Sequence, residues 1–275
     1  MSAVADELVL AEAKDGVLTL TLHNPERRNA WSIAMEEQYF ALLDDADTDP
    51  DVRAIVLTGS GTTFCPGLDV QRLTAQSTSA GPLDVHARRP QTYPLRVRKP
   101  MVAAINGACA GIGLMQALNC DVRFAARGAR FTTAYARRGL PAEYGSSWLL
   151  PRLIGVENAL DLLLSARVFG ADEAKALGLV SRVTDPESVL ADAQAYAADL
   201  ATNCSPRSMA AIRRQVYGDL SRSFDESMAQ TLVLMREFSQ TPDFTEGVAS
   251  FAEKRPAAFP PLDPTFRVPG DHAYH

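Results

Sequence analysis

Apolar residues fall in short runs through the first 130 positions and at helical spacing after that. Glu7 to Ala13 and Val17 to Leu22 predict two strands around Asp15-Gly16, a hairpin signal. Asn24-Pro25 ends the second. Ser32 is placed to cap a helix reaching about Leu43, with Glu36 and Glu37 in the early turns, where a helix dipole favours anions. The apolar face of that helix is Met35, Tyr39, Leu42 and Leu43. Arg53 to Thr58 (RAIVLT) is near-continuously apolar, as a buried strand is. Residues 76–90 have no usable period and predict a mobile loop. A strand over Met101 to Ile105, a glycine-rich turn, a helix from about Gly113 to Asn119 and a strand over Val122 to Ala125 follow. This ββα rhythm predicts an α/β domain.

The second half predicts helices. Val156, Ala159, Leu160, Leu163 and Leu164 mark one apolar stripe. Phe224, Met228, Leu232 and Met235 mark another, and Phe244, Val248 and Phe251 the last. No exact repeat and no clear linker divides the chain.

Composition narrows the classes. The 275 residues suffice for one large core or two small ones, and 47% hydrophobic with 22% charged is ordinary for a globular protein. A net charge of -6 disfavours nucleic acid and anionic membrane as partners. Arg27-Arg28, Arg88-Arg89 and Arg137-Arg138 are local basic pairs; each is either a solvated loop charge or a contact for a small polyanion. Cys65, Cys109, Cys120 and Cys204 have no metal-ligand spacing, so no metal is expected and buried free thiols are. The first 16 residues lack the basic and apolar regions of a signal peptide, and no stretch reaches the roughly 18 apolar residues of a membrane span. The expectation is a cytoplasmic chain.

Two segments carry candidate chemistry. Thr63 to Asp69 (TFCPGLD) follows the RAIVLTG run, and Ile105 to Leu114 (INGACAGIGL) follows MVAAI and enters a helix. Glycine permits positive φ and removes a Cβ that would block a ligand. A helix N-terminus leaves N–H groups unpaired. Two such turns converging on one point would form an oxyanion hole. Either segment alone reads equally as close packing of helix on sheet, and the second is not the dinucleotide G-x-G-x-x-G pattern.

Together the motifs resemble the enoyl-CoA hydratase/isomerase (crotonase) superfamily. They are N-P-x-x-R-N-A (Asn24 to Ala30), V-R-A-I-V-L-T-G-x-G-x-x-F-C-x-G-x-D (Val52 to Asp69) and N-G-x-x-x-G-x-G (Asn106 to Gly113). Cys120-Asp121, W-L-L-P-R-L-I-G (Trp148 to Gly155), A-x-x-A-x-x-x-G-L-V (Ala171 to Val180) and F-x-E-K-R-P (Phe251 to Pro256) complete the set. The resemblance implies a spiral of ββα units over 1–200. It also implies a C-terminal helical trimerisation region over 201–275 that completes neighbouring subunits, in a homotrimer or a dimer of trimers. It implies oxyanion donors at the N–H groups of Leu68 and Ile112, each worth about 3–4 kcal/mol in a transition state.

The resemblance also bears on the acid and base. The two glutamates of the hydratase branch fall at Met115 and Tyr135, neither a carboxylate. Glu143 falls in the loop where double-bond-shifting members carry their single acid; on composition alone it reads as a surface carboxylate. Leu140, Met115, Ile112 and Trp148 are expected to desolvate it and raise its pKa, which suits a proton shuttle. The implied activity is isomerisation of 3-enoyl-CoA to 2-enoyl-CoA in fatty-acid oxidation. Hydration, other thioester chemistry with Glu143 as nucleophile, and non-catalytic acyl-CoA binding stay open. The partner is an acyl-CoA thioester, with no cofactor beyond its CoA moiety. Resemblance places the adenine against Cys65, Gly67 and Asp69, with Arg27 or Arg28 near a phosphate and Phe251 and Lys254 of an adjacent subunit flanking the nucleotide. Core packing is an equal reading of Phe251, turn fixing the reading of Asp69 and Asp121, and packing that of Tyr135.

Overall fold

The computed structural model describes residues 7–69, 74, 78 and 88–269. Strands β1 (Val9–Lys14) and β2 (Val17–Leu22) form an antiparallel hairpin. Asp15 and Gly16 join them with φ of 51° and 78°, the twist that two-residue hairpins favour. Helix α1 (Ile33–Thr48) is capped by the Ser32 hydroxyl, which accepts from the Met35 N–H. It runs past the predicted end at Leu43 because Ala46 continues the buried face of Met35, Tyr39 and Leu43. Two of its aspartates are in ion pairs, Asp44 with Arg89 and Asp47 with Arg98. Lys99 Nζ donates to the carbonyls of Ala46 and Asp49 at its end.

After α1 the chain alternates between two sheets. Strand β3 (Ala54–Gly59) belongs to the larger and β4 (Thr63–Cys65) to the smaller. The step recurs with β5 (Met101–Ile105) and β6 (Ala108–Ala110), which leads into helix α2 (Ile112–Leu118). It recurs again with β7 (Val122–Ala126) and β8 (Arg130–Thr132). The remaining elements are α3 (Ser146–Ile154), α4 (Val156–Ser165), β9 (Phe169–Gly170), α5 (Ala171–Ala176), β10 (Arg182–Thr184) and α6 (Val189–Asn203). Helices α7 (Pro206–Asp219), α8 (Phe224–Phe238) and α9 (Pro242–Glu253) follow.

The larger sheet has the order β1-β2-β3-β5-β7-β10, parallel from β2 onward, and the smaller has β4-β6-β8-β9. This is the predicted spiral of ββα units. One core lies between the sheets and includes Trp31, Tyr39, Ile55, Leu57, Phe64 and Phe131. The second fills the other face of the larger sheet, where α6 packs Val189, Ala193, Ala197 and Ala201 on Val56, Val102 and Phe124. Strands covered on both faces have no polar side to show, hence the unbroken run at β3.

Three predicted helix faces differ in the structure. On α4 the buried residues are Ala159 and Leu162, while Val156, Leu160 and Leu164 face outward. On α8 Phe224, Met228, Leu232 and Met235 are all exposed, and Leu234 is the buried one. On α9 Phe244, Val248 and Phe251 are exposed, while Asp243 and Ser250 are buried. Each stripe exists, but the described residues do not cover it. The predicted strand at Glu7 begins at Val9, and most of the predicted loop 76–90 lies outside the described residues.

Candidate active site

The parallel pairing of β4 with β6 sets Cys65 opposite Cys109. Leu68 and Ile112 each follow three residues later, so both leave the smaller sheet at the same end. Two contacts bring them close. Gly67, at φ 113°, would place a Cβ only 3.4 Å from the Ala110 carbonyl oxygen. At Gly113 a Cβ would collide with the Cys65 carbonyl oxygen, so α2 can begin here only without a side chain.

Backbone geometry aims the two N–H groups. Trp31 forms an isolated parallel bridge with Leu68. The Trp31 N–H donates to Gly67 O at 2.8 Å, and the Asp69 N–H donates to Trp31 O at 3.2 Å. In such a bridge the central residue turns its own N–H the other way. The Leu68 N–H therefore points away from Trp31 and has no acceptor among the described residues. Ile112 opens α2, where a first-turn N–H has no intrahelical partner, and it too has no acceptor among them.

Leu68, Gly111 and Ile112 line one small pocket with Ala134, Tyr135, Arg138, Leu140, Glu143 and Tyr144. Its volume of about 20 Å³ is room for one water. Glu143 is half-buried, and its backbone carbonyl accepts from the Ser146 N–H at 2.9 Å as α3 begins. It is the one carboxylate lining this pocket among the described residues. Two walls are in left-handed backbone without glycine, Ala134 at φ 63° and Tyr144 at φ 54°. Such conformations cost about 1–3 kcal/mol each and gather at functional sites.

Burial, then the negative charge of Glu143, pushes the Tyr135 phenol well above the usual tyrosine range. Ser146 Oγ is buried beside it without a well-directed hydrogen bond. Burial pushes the Cys65 thiol up to about 12 and raises Cys109 too, so both stay protonated and unreactive.

The expected residues fall into three groups. Leu68, Ile112 and Glu143 meet at the pocket with Leu140, while Met115 and Trp148, expected as its walls, are not among its lining residues. Met115 is buried in the core, and the Trp148 ring lies under the Arg152 guanidinium, 4.2 Å from its centroid. Arg27 pairs with buried Asp69, the residue after Leu68, at 2.8 Å, and Arg28 is exposed at φ 53°. Phe251 and Lys254 lie at the end of α9; neither lines the pocket, and Phe251 lines a separate apolar groove of about 1090 Å³ with Phe244 and Val248. Asp121 anchors α7, accepting from Arg213 Nε at 2.8 Å, Tyr217 Oη at 2.8 Å and the Met101 N–H at 2.7 Å. Tyr144 and Arg138 were not expected at the pocket; no glycine or carboxylate pattern marks them.

Two sheets wound as a spiral, with Leu68, Ile112 and Glu143 lining one pocket, are the arrangement of the crotonase class. The profile of the enoyl-CoA hydratase/isomerase family matches residues 12–261, and the chain belongs to that family. It is 32% identical to a 1,2-epoxyphenylacetyl-CoA isomerase from Escherichia coli, over 92% of this chain and 98% of that one. It is 36% identical to a probable enoyl-CoA hydratase from Rhodobacter capsulatus, over 90% and 96%. Among solved structures, a probable enoyl-CoA hydratase/isomerase from Mycobacterium abscessus superposes with a TM-score of 0.85 at 32% identity, covering 92% and 99%. An enoyl-CoA hydratase from Mycobacterium marinum is 49% identical, with a TM-score of 0.68 over 79% of this chain and all of that one.

Proposed function

We propose that this chain isomerises 3-enoyl-CoA to 2-enoyl-CoA. The N–H groups of Leu68 and Ile112 hold the thioester oxygen, and Glu143 carries the proton from C2 to C4. The observation that supports this reading is the presence of these three residues on one pocket wall. Removing the C2 proton places negative charge on the thioester oxygen, where two fixed donors in a dry site lower the barrier by about 3–4 kcal/mol each. The same carboxyl, now protonated, returns the proton to C4. One carboxylate suffices for this sequence. Addition of water asks for a base and an acid together, and Glu143 is the one carboxyl group found on this pocket among the described residues.

Hydration of 2-enoyl-CoA with Glu143 alone is the second reading, favoured by the hydratase names of several relatives. The test is ultraviolet absorbance of trans-3-enoyl-CoA mixed with the wild type and with Glu143→Gln. Conjugation by the wild type, lost in the variant, is expected. No conjugation with the wild type, but loss of the chromophore when trans-2-enoyl-CoA is offered in its place, transfers the site to hydration.

The CoA moiety rests on the Cys65, Gly67 and Asp69 backbone, with Arg27 and Arg28 toward its phosphates. Phe251 and Lys254 reach it from a second copy, in a homotrimer or a dimer of trimers. Support comes from the exposed apolar faces of α8 and α9 and from the lack of Phe251 and Lys254 among the described residues that line the pocket. The four free cysteines fit a reducing cytoplasm. No helix among the described residues is long and apolar enough to cross a membrane.

A further inference from the structure

Glu36 sits where α1 turns its apolar face to the core, one residue after fully buried Met35, and it is 3% exposed. An apolar residue would be the simpler occupant, because an isolated buried carboxylate is costly. Both of its oxygens have partners. Oε2 accepts from Trp31 Nε1 at 3.0 Å, and Oε1 pairs with Arg88. Trp31 is fully buried, its ring edge-on to Tyr39 with centroids 5.6 Å apart. The Trp31 backbone in turn makes the two hydrogen bonds that bracket Leu68. That bridge is isolated, with no ladder on either side to stiffen it. The aim of the Leu68 N–H thus depends on whatever fixes Trp31, and the indole is fixed by Glu36.

We infer that Glu36 is a positioning residue for the Leu68 donor, acting through the Trp31 indole, with Arg88 balancing its charge. This rests on the reading of Leu68 as an enolate donor. The arrangement separates orientation from substrate binding: Glu36 is not among the residues lining the pocket, yet the hydrogen bond it accepts from Trp31 holds the residue that sets a donor's direction.

The test uses the whole chain and two probes that need no turnover. A β-ketoacyl-CoA is bound as its enolate, which absorbs in the near ultraviolet; a saturated acyl-CoA of equal length forms no enolate. Glu36→Met keeps the volume and removes the acceptor, Trp31→Phe removes the donor, and Glu36→Gln keeps an acceptor. Glu36→Met and Trp31→Phe are expected to weaken enolate binding about tenfold or more, and saturated acyl-CoA binding less than about threefold. The double variant loses no more than the weaker single one, and Glu36→Gln returns to within about threefold of wild type. Should Glu36→Met not fold, Trp31→Phe carries the same comparison. Equal losses on both probes, or enolate binding within about twofold of wild type in Trp31→Phe, would overturn the inference. So would a wild type that binds the ketoacyl-CoA without enolate absorbance. A wild type that stabilises the enolate but does not conjugate 3-enoyl-CoA contradicts the proposed reaction alone.

Discussion

Around Cys65 and Cys109 the chain is packed entirely by itself. The first turn of α2 lies against the Cys65 backbone at a distance that excludes a Cβ, and Phe64, Cys65, Cys109 and Ile112 are all buried. On α8 and α9 the same residue classes stand open: Phe224, Leu232, Met235 and Phe251 are each more than half exposed. Both regions show apolar residues at regular spacing in the sequence. Only the first finds its cover among the described residues. A helical stripe states which side will be buried, and nothing about what will bury it. Exposed apolar surface on this scale marks an interaction face, which is what the proposed assembly requires.

The sharpest way to break this contrast is to add volume on the closed side. Gly113→Val is expected to destabilise the chain by about 4 kcal/mol or more, since the added carbon meets backbone that cannot yield. Gly128→Ala, which meets nothing within 4 Å, is expected to cost under about 0.5 kcal/mol. Urea unfolding midpoints of the two variants make the comparison.

Arg213 ties α7 to the loop ahead of β5 and to Asp121. It is buried on α7, pairs with Asp121 and donates to the carbonyls of Pro94, Leu95 and Val97. Arg213→Met removes one member of a buried pair and is expected to cost about 3–5 kcal/mol. Hydrogen exchange should rise first in α7 to α9, leaving the amides of the larger sheet protected.

On the open side the effect on folding reverses in size. Leu232→Ser with Met235→Ser is expected to change the stability of the single chain by under about 0.5 kcal/mol while lowering its assembly state in analytical ultracentrifugation. A wild type that sediments as a monomer would contradict the proposed assembly.

A further effect is one of pH. Burial lowers Lys99 from its ordinary value to about 8, so between about 8 and the ordinary lysine range the unfolded chain binds more protons than the folded one. Stability attributable to Lys99 therefore rises with pH across that window. Denaturation of Lys99→Met at pH 7.5 and 10 should lack that increment.

The same contrast explains what the sequence could and could not tell. Met101–Ile105 was legible to the residue because a strand covered on both faces shows no polar position. The two glycine turns were legible because close backbone approach leaves glycine no substitute. The left-handed conformations at Ala134 and Tyr144 were not, since neither residue type announces them. Nor was the displacement of Met115 and Trp148 from the Glu143 pocket, which depends on the direction of side chains rather than on their spacing. Glu36 was read as a helix-dipole residue; its partner Trp31 is five positions away, and Arg88 returns to it only through the tertiary fold.

The most direct measurement follows the proton itself. A 3-enoyl-CoA deuterated at C2 would be converted by the protein and the product read by mass spectrometry and proton NMR. The account predicts a conjugated 2-enoyl product carrying part of the label at C4, with both conversion and transfer lost in Glu143→Gln. Label transfer to C4 at the wild-type rate in Glu143→Gln would contradict it.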